Sequence, residues 1–107
     1  MAYKVVWTKK ARKQRVETLT YGALTFGKRL ALKFKEALHQ YDRLLASNSH
    51  LGPIEPLLIQ EPQIFRSVVV HKHYKLIYYV NTNSNTIYIV ALWDNRREPK
   101  QQAKQTR

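Results

Sequence analysis

Four short runs of β-branched and aromatic residues along the chain predict four β-strands. They are YKVVW (3–7), FRSVVV (65–70), YKLIYYV (74–80) and TIYIVALW (86–93). The last three runs are joined only by HKH and by NTNSN, a polar segment rich in turn-forming residues. Because links this short join strands that run in opposite directions, we expect these three strands to be antiparallel neighbours.

Between the first and second strands the apolar spacing changes from that of a strand to that of a helix. Five apolar residues recur at steps of four, four, three and four and predict an amphipathic helix over roughly residues 25–46. They are Leu30, Phe34, Leu38, Tyr41 and Leu45. A helix this long in a small protein must cover apolar surface, so we expect this stripe to face the core.

A first helix is predicted before it, from an N-cap at Thr8 to about Thr20, followed by a turn at Tyr21, Gly22 and Gly27. Its cationic residues outnumber its apolar ones, and the two sets do not separate onto different faces. The cations are Lys9, Lys10, Arg12, Lys13 and Arg15, and the apolar residues are Ala11, Val16 and Leu19. We expect a strongly basic helix that packs weakly.

The order of elements predicts an α+β fold in a small single domain. The order is β-α-α-β-β-β, with a mainly antiparallel sheet, two helices packed on one of its faces and the other face free for function. A long connection, SNSHLGPIEP followed by LLIQEPQI, carries three of the four prolines. We place the domain at residues 1–98 and expect residues 99–107, PKQQAKQTR, to form a polar, basic and mobile tail.

The charge of the chain narrows the class of partner. Nineteen Lys and Arg residues against seven acidic residues give 107 residues a formal net charge of +12, which favours nucleic acid, the ribosome, an acidic protein or an anionic membrane as partner. Cysteine is absent, which excludes disulfides and thiolate zinc sites. No segment approaches the roughly 20 apolar residues of a membrane span, and the opening MAYKVVWTKK is too short in apolar residues for a signal peptide. We therefore expect a cytoplasmic protein with no membrane partner.

Four segments together resemble the toxins of the RelE/ParE superfamily from bacterial type II toxin–antitoxin modules. They are YKVVWTKKA, GPIEPLL, FRSVVVHKHYKLIYYV and IYIVALWDNRREP, and their order and spacing cover nearly the whole chain. The resemblance implies a small α+β fold, a cognate antitoxin as partner, and no metal or other cofactor.

The resemblance also implies one of two activities. RelE-like and YoeB-like toxins cut messenger RNA in the ribosomal A site through attack of a 2′-hydroxyl on the neighbouring phosphate, so the ribosome and mRNA would be the targets. ParE-like toxins instead inhibit DNA gyrase. We predict the ribosome-dependent endonuclease, with gyrase inhibition as the alternative; a basic RNA-binding domain without toxicity is a third interpretation.

The resemblance nominates catalytic residues for RNA cleavage, which needs a base and cations around the phosphate. Glu55 resembles the general base of YoeB-like toxins. Lys75 stands where these nucleases carry an arginine, and Arg96 matches the arginine after their last strand. The predicted catalytic set is therefore Glu55, Lys75 and Arg96, with Arg66, Lys72 and Arg97 as nucleic-acid-binding residues.

The positions of Arg66, Lys75 and Arg96 on or after adjacent strands predict that they converge on one exposed face of the sheet. Two features of the C-terminus differ from the nucleases: no aromatic residue follows Arg97, and no histidine stands in WDNRRE. That ending also resembles the endings of ParE-like toxins. His71 and His73, beside Lys72, are interpreted as exposed residues of a hairpin.

Overall fold

The computed structural model describes residues 2–97 and 99–106. Within them the predicted order β-α-α-β-β-β is present and is followed by a third helix. A short 3₁₀ turn, Pro56–Leu58, lies in the long connection before the second strand. The elements are β1 Lys4–Trp7, α1 Lys9–Phe26, α2 Lys28–Ser47, β2 Arg66–His71, β3 Tyr74–Asn81, β4 Thr86–Asp94 and α3 Pro99–Thr106.

The four strands form one sheet in the order β1-β4-β3-β2. The strands β2, β3 and β4 are antiparallel neighbours, as their short links predicted. By contrast, β1 lies parallel to β4, with Lys4 opposite Thr86 and Trp7 opposite Ile89. Parallel pairing requires a long connection, which here runs through both long helices. The α+β fold class is confirmed.

The helices α1 and α2 cover one face of the sheet, as predicted. The stripe of α2 enters the core with Leu38 and Leu45 fully buried, and Phe34 and Tyr41 pack beside them. Leu30 continues the same stripe but stays 54% exposed. The first turns of α2 are therefore packed less closely on the sheet than its later turns.

The joint between the two helices is shorter than the sequence predicted. Tyr21 and Gly22 belong to α1, which runs to Phe26, and Gly27 alone separates the helices. Gly27 has a φ of 97°, a conformation that residues with a Cβ rarely adopt. The expected turn at residues 21–27 is therefore wrong, and a single glycine makes the reversal.

The weak packing expected of α1 is confirmed for its apolar residues, since Ala11 is the buried residue of this helix. Polar and cationic side chains of α1 make further contacts with the sheet. Gln14 accepts a hydrogen bond from the backbone nitrogen of Leu92 at 2.9 Å, and the Arg15 guanidinium lies over the Trp7 ring, 4.5 Å from its centroid. The helix is thus attached to the sheet through buried Ala11 and through the Gln14 and Arg15 side chains.

The other face of the sheet is not free, because α3 packs on it. Ala103 and Trp93 are buried there beside Leu58, and Trp93 Nε1 donates to Thr106 Oγ1 at 2.9 Å. The expectations of an uncovered face and a mobile tail are therefore wrong: alanine, glutamine and threonine supply a small inward face in a segment that looked uniformly polar. The domain boundary at residue 98 stays a prediction. Across the described ranges, no helix has the length and apolar content needed to cross a bilayer.

Candidate functional site

Glu55 and Lys75 form a buried ion pair on the α3 face of the sheet. Glu55 lies at the start of the 3₁₀ turn, where its Oε2 accepts a hydrogen bond from Leu57 N at 3.3 Å and its backbone N donates to Phe65 O at 2.8 Å. Lys75 Nζ donates to Glu55 Oε1 and lies 5.0 Å from the centre of the Trp93 ring. The glutamate is therefore held by backbone, lysine and loop together.

Burial limits what this pair can do chemically. The Glu55 side chain is 1% exposed and that of Lys75 is 18% exposed. A general base must come within hydrogen-bond distance of the proton that it removes. In this arrangement the carboxylate accepts hydrogen bonds from Lys75 Nζ and Leu57 N. The structure thus brings the two predicted catalytic residues together in a pair that holds the loop to the sheet.

Arg66 points to the opposite face of the sheet. It lies directly opposite Tyr78, and residues opposite one another in an antiparallel pair share a face. Tyr78 belongs to the core under α1 and α2. The Arg66 guanidinium donates to Gly52 O at 2.9 Å, and Gly52 N donates to the Tyr78 hydroxyl at 2.9 Å. Arg66 therefore secures the loop against β2.

The Gly52 backbone approaches β2 so closely that a side chain does not fit. A Cβ built on Gly52 would lie 2.2 Å from Ser67 O, which is backbone and cannot move aside. The close approach allows the next residues to follow the edge of the sheet, with Ser67 N donating to Pro53 O at 3.0 Å. Glu55 reaches its buried position because the loop is fixed in this way.

Arg96 lies beyond the end of β4, on the side of the helices. Its Nε and one terminal nitrogen donate to the two Asp94 carboxylate oxygens, each at 3.0 Å, and the same terminal nitrogen donates to the Tyr74 hydroxyl at 3.1 Å. Its guanidinium carbon lies 5.7 Å from the Tyr74 ring centre. With 43% of its side chain exposed, Arg96 is held by a bidentate pair yet remains accessible.

These contacts shift the titration of the cluster. Partial burial alone would raise the pKa of Asp94, but the hydrogen bonds and charge of Arg96 outweigh it and hold that pKa below its ordinary value. The hydrogen bond to Asp94 raises the pKa of Arg96 further. Burial, reinforced by the charge of Asp94, raises the pKa of Tyr74 despite the opposing effect of Arg96. At neutral pH the cluster therefore holds one carboxylate, one guanidinium and a neutral phenol.

An open cleft of about 410 Å³ adjoins this cluster. One side is formed by α1 and the other by the ends of β3 and β4 with the residues that follow. The lining residues are Gln14, Glu17, Thr18, Tyr21, Tyr74, Leu92, Asp94, Arg96 and Arg97. Two guanidinium groups, two carboxylates and two tyrosines thus border one surface, a composition suited to contact with a polar macromolecule.

The predicted convergence of the three cations is wrong. Alternation along β3 places Lys75 with Ile77 on the α3 face, whereas Arg66 and Arg96 lie on the side of α1 and α2. Lys72 is exposed in the turn between β2 and β3. Only Arg96 and Arg97, among the six nominated residues, border the same cleft. The catalytic and nucleic-acid-binding roles of the six stay predictions.

The sequence interpretation missed Asp94 and Tyr74. The carboxylate of Asp94 two residues before Arg96 was a local signal, since that spacing allows a turn with a side-chain ion pair. Tyr74 gave no such signal, because it meets Arg96 only through the pairing of Tyr74 with Asp94 across β3 and β4. The hairpin interpretation of His71 holds in part: it is exposed at the end of β2, with its ring 5.8 Å from that of Phe34.

No three His, Cys, Asp or Glu side chains come together in residues 2–97 and 99–106 in a way that could hold an ion.

Comparison with known proteins identifies the family. Residues 5–99 match the model of the ParE toxin of the type II toxin–antitoxin system parDE. No curated protein sequence matches the chain. Solved structures share this fold at low sequence identity.

One is a chain from the chromosomal ParDE toxin–antitoxin system of P. aeruginosa, 17% identical with a TM-score of 0.69, covering 87% of this chain and 96% of its own. A chain of the toxin–antitoxin complex RelBE2 from Mycobacterium tuberculosis is 17% identical with a TM-score of 0.62, covering 88% and 99%. A mutant of the E. coli toxin RelE in the free state is 15% identical with a TM-score of 0.63, covering 98% and 97%.

These likenesses agree with the fold built from the strands and helices, and the family match covers the strands, both long helices and the loop that carries Glu55. The resemblance to the RelE/ParE superfamily is thereby confirmed, and the chain belongs to the ParE toxin family of type II toxin–antitoxin systems.

Proposed function

We propose that this toxin inhibits its target by binding it, without chemistry of its own, and that the target is DNA gyrase. The observation that carries the proposal is the burial of Glu55. The carboxylate nominated as general base is 1% exposed and accepts its hydrogen bonds from Lys75 and the 3₁₀ turn. Removing either member of such a pair leaves a buried charge without a partner, so both residues have a structural reason to be present.

The distribution of the cations supports the same proposal. Cleavage at a 2′-hydroxyl requires positive charge and a base around one phosphate. Lys75 and Arg66 point to opposite faces of the sheet, and each already has a partner, Glu55 and Gly52 O respectively. A ribosome-dependent endonuclease would therefore need a different set of residues from the predicted one.

We assign target contact to the cleft beside Arg96 and Arg97. Arg96 is oriented by Asp94 and lies over Tyr74, and its guanidinium, with 43% of the side chain exposed, borders the cleft. Exposed, oriented arginines and tyrosines are the residue types that most often supply binding energy at protein interfaces. The match to the ParE family favours gyrase over the ribosome as the protein that this cleft meets.

We also propose a cognate antitoxin with an acidic, amphipathic binding segment. Residues 9–47, the two long helices, carry ten Lys and Arg residues against three acidic ones, a net charge of +7. Leu24, Phe26 and Leu30 near their joint are 84%, 57% and 54% exposed. Opposite charge would speed association, and apolar contacts would supply affinity. Affinity that does not weaken with added salt would contradict this partner chemistry.

The experiment compares both activities of one purified preparation. The toxin is added to a gyrase supercoiling assay with detection of stabilised cleavage complexes, and to purified ribosomes programmed with a defined message. We expect inhibition of gyrase and an intact message. Arg96→Ala should weaken the gyrase effect, whereas Lys13→Ala, an exposed cation outside the cleft, should not. Cleavage of the ribosome-bound message with gyrase unaffected would replace the proposal by the ribosome-dependent endonuclease.

A further inference from the structure

The strand β4 extends beyond β1, its parallel neighbour at the edge of the sheet. β1 ends at Trp7, opposite Ile89, whereas β4 continues to Asp94. Within residues 2–97 and 99–106 the sheet has no further strand on that side. The backbone groups of β4 that point to this edge therefore need partners other than a strand, since buried backbone donors and acceptors are nearly always paired.

Two glutamine side chains supply those partners. Gln14 of α1 accepts from Leu92 N at 2.9 Å. Farther along, Gln102 of α3 uses both ends of its amide: Oε1 accepts from Asp94 N and Nε2 donates to Asp94 O, each at 2.9 Å. An amide side chain paired in this way takes the place of one residue of a neighbouring strand.

Gln102 is well placed to hold Asp94 firmly. It is 6% exposed, so water competes little for its two hydrogen bonds. Replacing a buried hydrogen-bonding side chain leaves its partners unsatisfied and costs more than the net value of the bond itself. The backbone of Asp94 is therefore held from two sides, by its pairing with Tyr74 of β3 and by Gln102 of α3.

The side chain of Asp94 in turn orients Arg96. Its carboxylate accepts hydrogen bonds from Arg96 N at 2.9 Å and from the guanidinium at 3.0 Å through both oxygens. The guanidinium is exposed, and a free arginine side chain samples many rotamers. The contacts thus run without a break from Gln102 through Asp94 to Arg96.

We propose that Gln102 is a positioning residue for Arg96: by fixing the backbone of Asp94, it holds the guanidinium in the direction in which the toxin presents it to its target. The proposal rests on the function proposed above, since target contact was assigned there to Arg96. Gln102 lies outside residues 5–99, the part of the chain that matches the family. The orientation of Arg96 is therefore set by a segment beyond the family match.

A purely structural role for Gln102, as an anchor of α3, predicts different behaviour. The helix has another anchor that does not involve Asp94, the hydrogen bond from Trp93 Nε1 to Thr106 Oγ1. Thr106→Val removes this anchor while keeping the side-chain shape. The test variant is Gln102→Met, which removes both amide contacts and keeps a side chain of similar length. Thr106→Val is its matched control for the anchoring of α3. Gln101→Met is the control for the same substitution at an exposed neighbouring position.

The first measurement follows Arg96 directly by ¹⁵N NMR, with its Nε signal assigned by its absence in Arg96→Lys. We expect exchange of the Nε proton with water to accelerate about fivefold or more in Gln102→Met, the factor that corresponds to loss of one hydrogen bond. Thr106→Val and Gln101→Met should keep the wild-type rate. Gln102→Glu is the second variant, for the case in which Gln102→Met detaches α3 from the sheet. It keeps the acceptor for Asp94 N and loses the donor to Asp94 O, and it should also accelerate exchange of the Arg96 Nε proton.

The second measurement is gyrase inhibition in a double-mutant cycle. Gln102→Met should weaken inhibition about 3- to 10-fold in the wild type and have no further effect in the Arg96→Ala variant, because coupled residues do not act additively. An unchanged exchange rate in both Gln102 variants, or equal losses of inhibition with and without Arg96, would overturn the positioning role. Full inhibition by Arg96→Ala would instead contradict the proposed target contact, and the exchange rates would still decide the role of Gln102.

Discussion

Two ion pairs of this toxin, Glu55–Lys75 and Asp94–Arg96, lie on opposite sides of the same sheet and differ in their burial. In the first, the side chains are 1% and 18% exposed under the loop and α3. In the second, Asp94 is 21% and Arg96 43% exposed at the rim of a cleft. Both pairs contain residues that the sequence nominated for catalysis. The difference in burial separates a pair that supports the fold from a pair that is free to meet a partner.

This comparison shows why residue type alone does not assign a role. A buried ion pair is retained because removal of one member leaves the other charge without solvent or partner. An exposed pair contributes little to stability because water and salt screen it. Mutations in the first pair should therefore mainly affect folding, and mutations in the second should mainly affect target binding.

The largest effect is expected from Lys75→Met. It leaves the Glu55 carboxylate buried without its cation, so the free energy of unfolding should fall by about 3–5 kcal/mol. Urea denaturation followed by tryptophan fluorescence measures the change, since Trp93 lies beside Lys75. Lys13→Met, at an exposed position of α1, is the control and should change stability little. A loss as small as that of the control would mean that the pair does not stabilise the fold.

Replacing both members of the buried pair tests whether its role is structural. Glu55→Leu combined with Lys75→Met removes both charges and should recover most of the loss, to within about 1 kcal/mol of the wild type. Because the pair has no chemical role in the proposed function, this variant should also still arrest growth when it is expressed in bacteria. A stable double variant that has lost toxicity would return Glu55 and Lys75 to a role in catalysis.

Arg96→Ala should have the reverse profile. We expect gyrase inhibition to fall about 10- to 100-fold, the range for loss of one important interface residue, while thermal unfolding stays close to the wild type because the pair is exposed. Arg96→Lys should retain part of the inhibition, since the charge is kept and the bidentate geometry is lost. Equal inhibition by all three proteins would remove Arg96 from the contact surface.

The smallest effect is expected from Asp94→Asn as pH is changed. The pKa of Asp94 is lower in the folded chain than its ordinary value of 3.8, so its ion pair adds stability above that pH and loses it as pH falls through the folded value. The melting temperature of the wild type should exceed that of Asp94→Asn by no more than a few degrees near neutrality, and the difference should vanish in acid. A difference that grows on acidification would have the wrong sign.

Much of the fold was predictable from local patterns. The strands YKLIYYV and TIYIVALW were found within one residue of β3 and β4, because β-branched and aromatic residues are concentrated in strands. The stripe from Phe34 to Leu45 identified the core face of α2 because its apolar residues recur at the period of a helix. The family was also accessible, since the order of the four motifs along the chain is itself a sequence property.

The sites were less predictable, because their partners come from distant parts of the chain. Glu55 and Lys75 are 20 residues apart, and Tyr74 and Arg96 are 22 apart. The alternation of side chains along β3 predicted which residues share a face with Lys75. It did not predict that the loop would bring Glu55 to that face. For the same reason the sequence did not show that Arg66 lies on the face opposite that of Lys75. This position follows from the pairing of Arg66 with Tyr78.

By itself, then, the sequence determined the order of elements, the faces of the long helix and of the central strands, the net charge of +12 and the family. These properties depend on residue type and on short periodic spacing, which operate within a few residues. Only the tertiary structure decided which charges are buried, that α3 covers the second face, and that Gln102 reaches Asp94. Those outcomes depend on the packing of segments far apart in sequence, where strand register and loop path, rather than local periodicity, determine the neighbours.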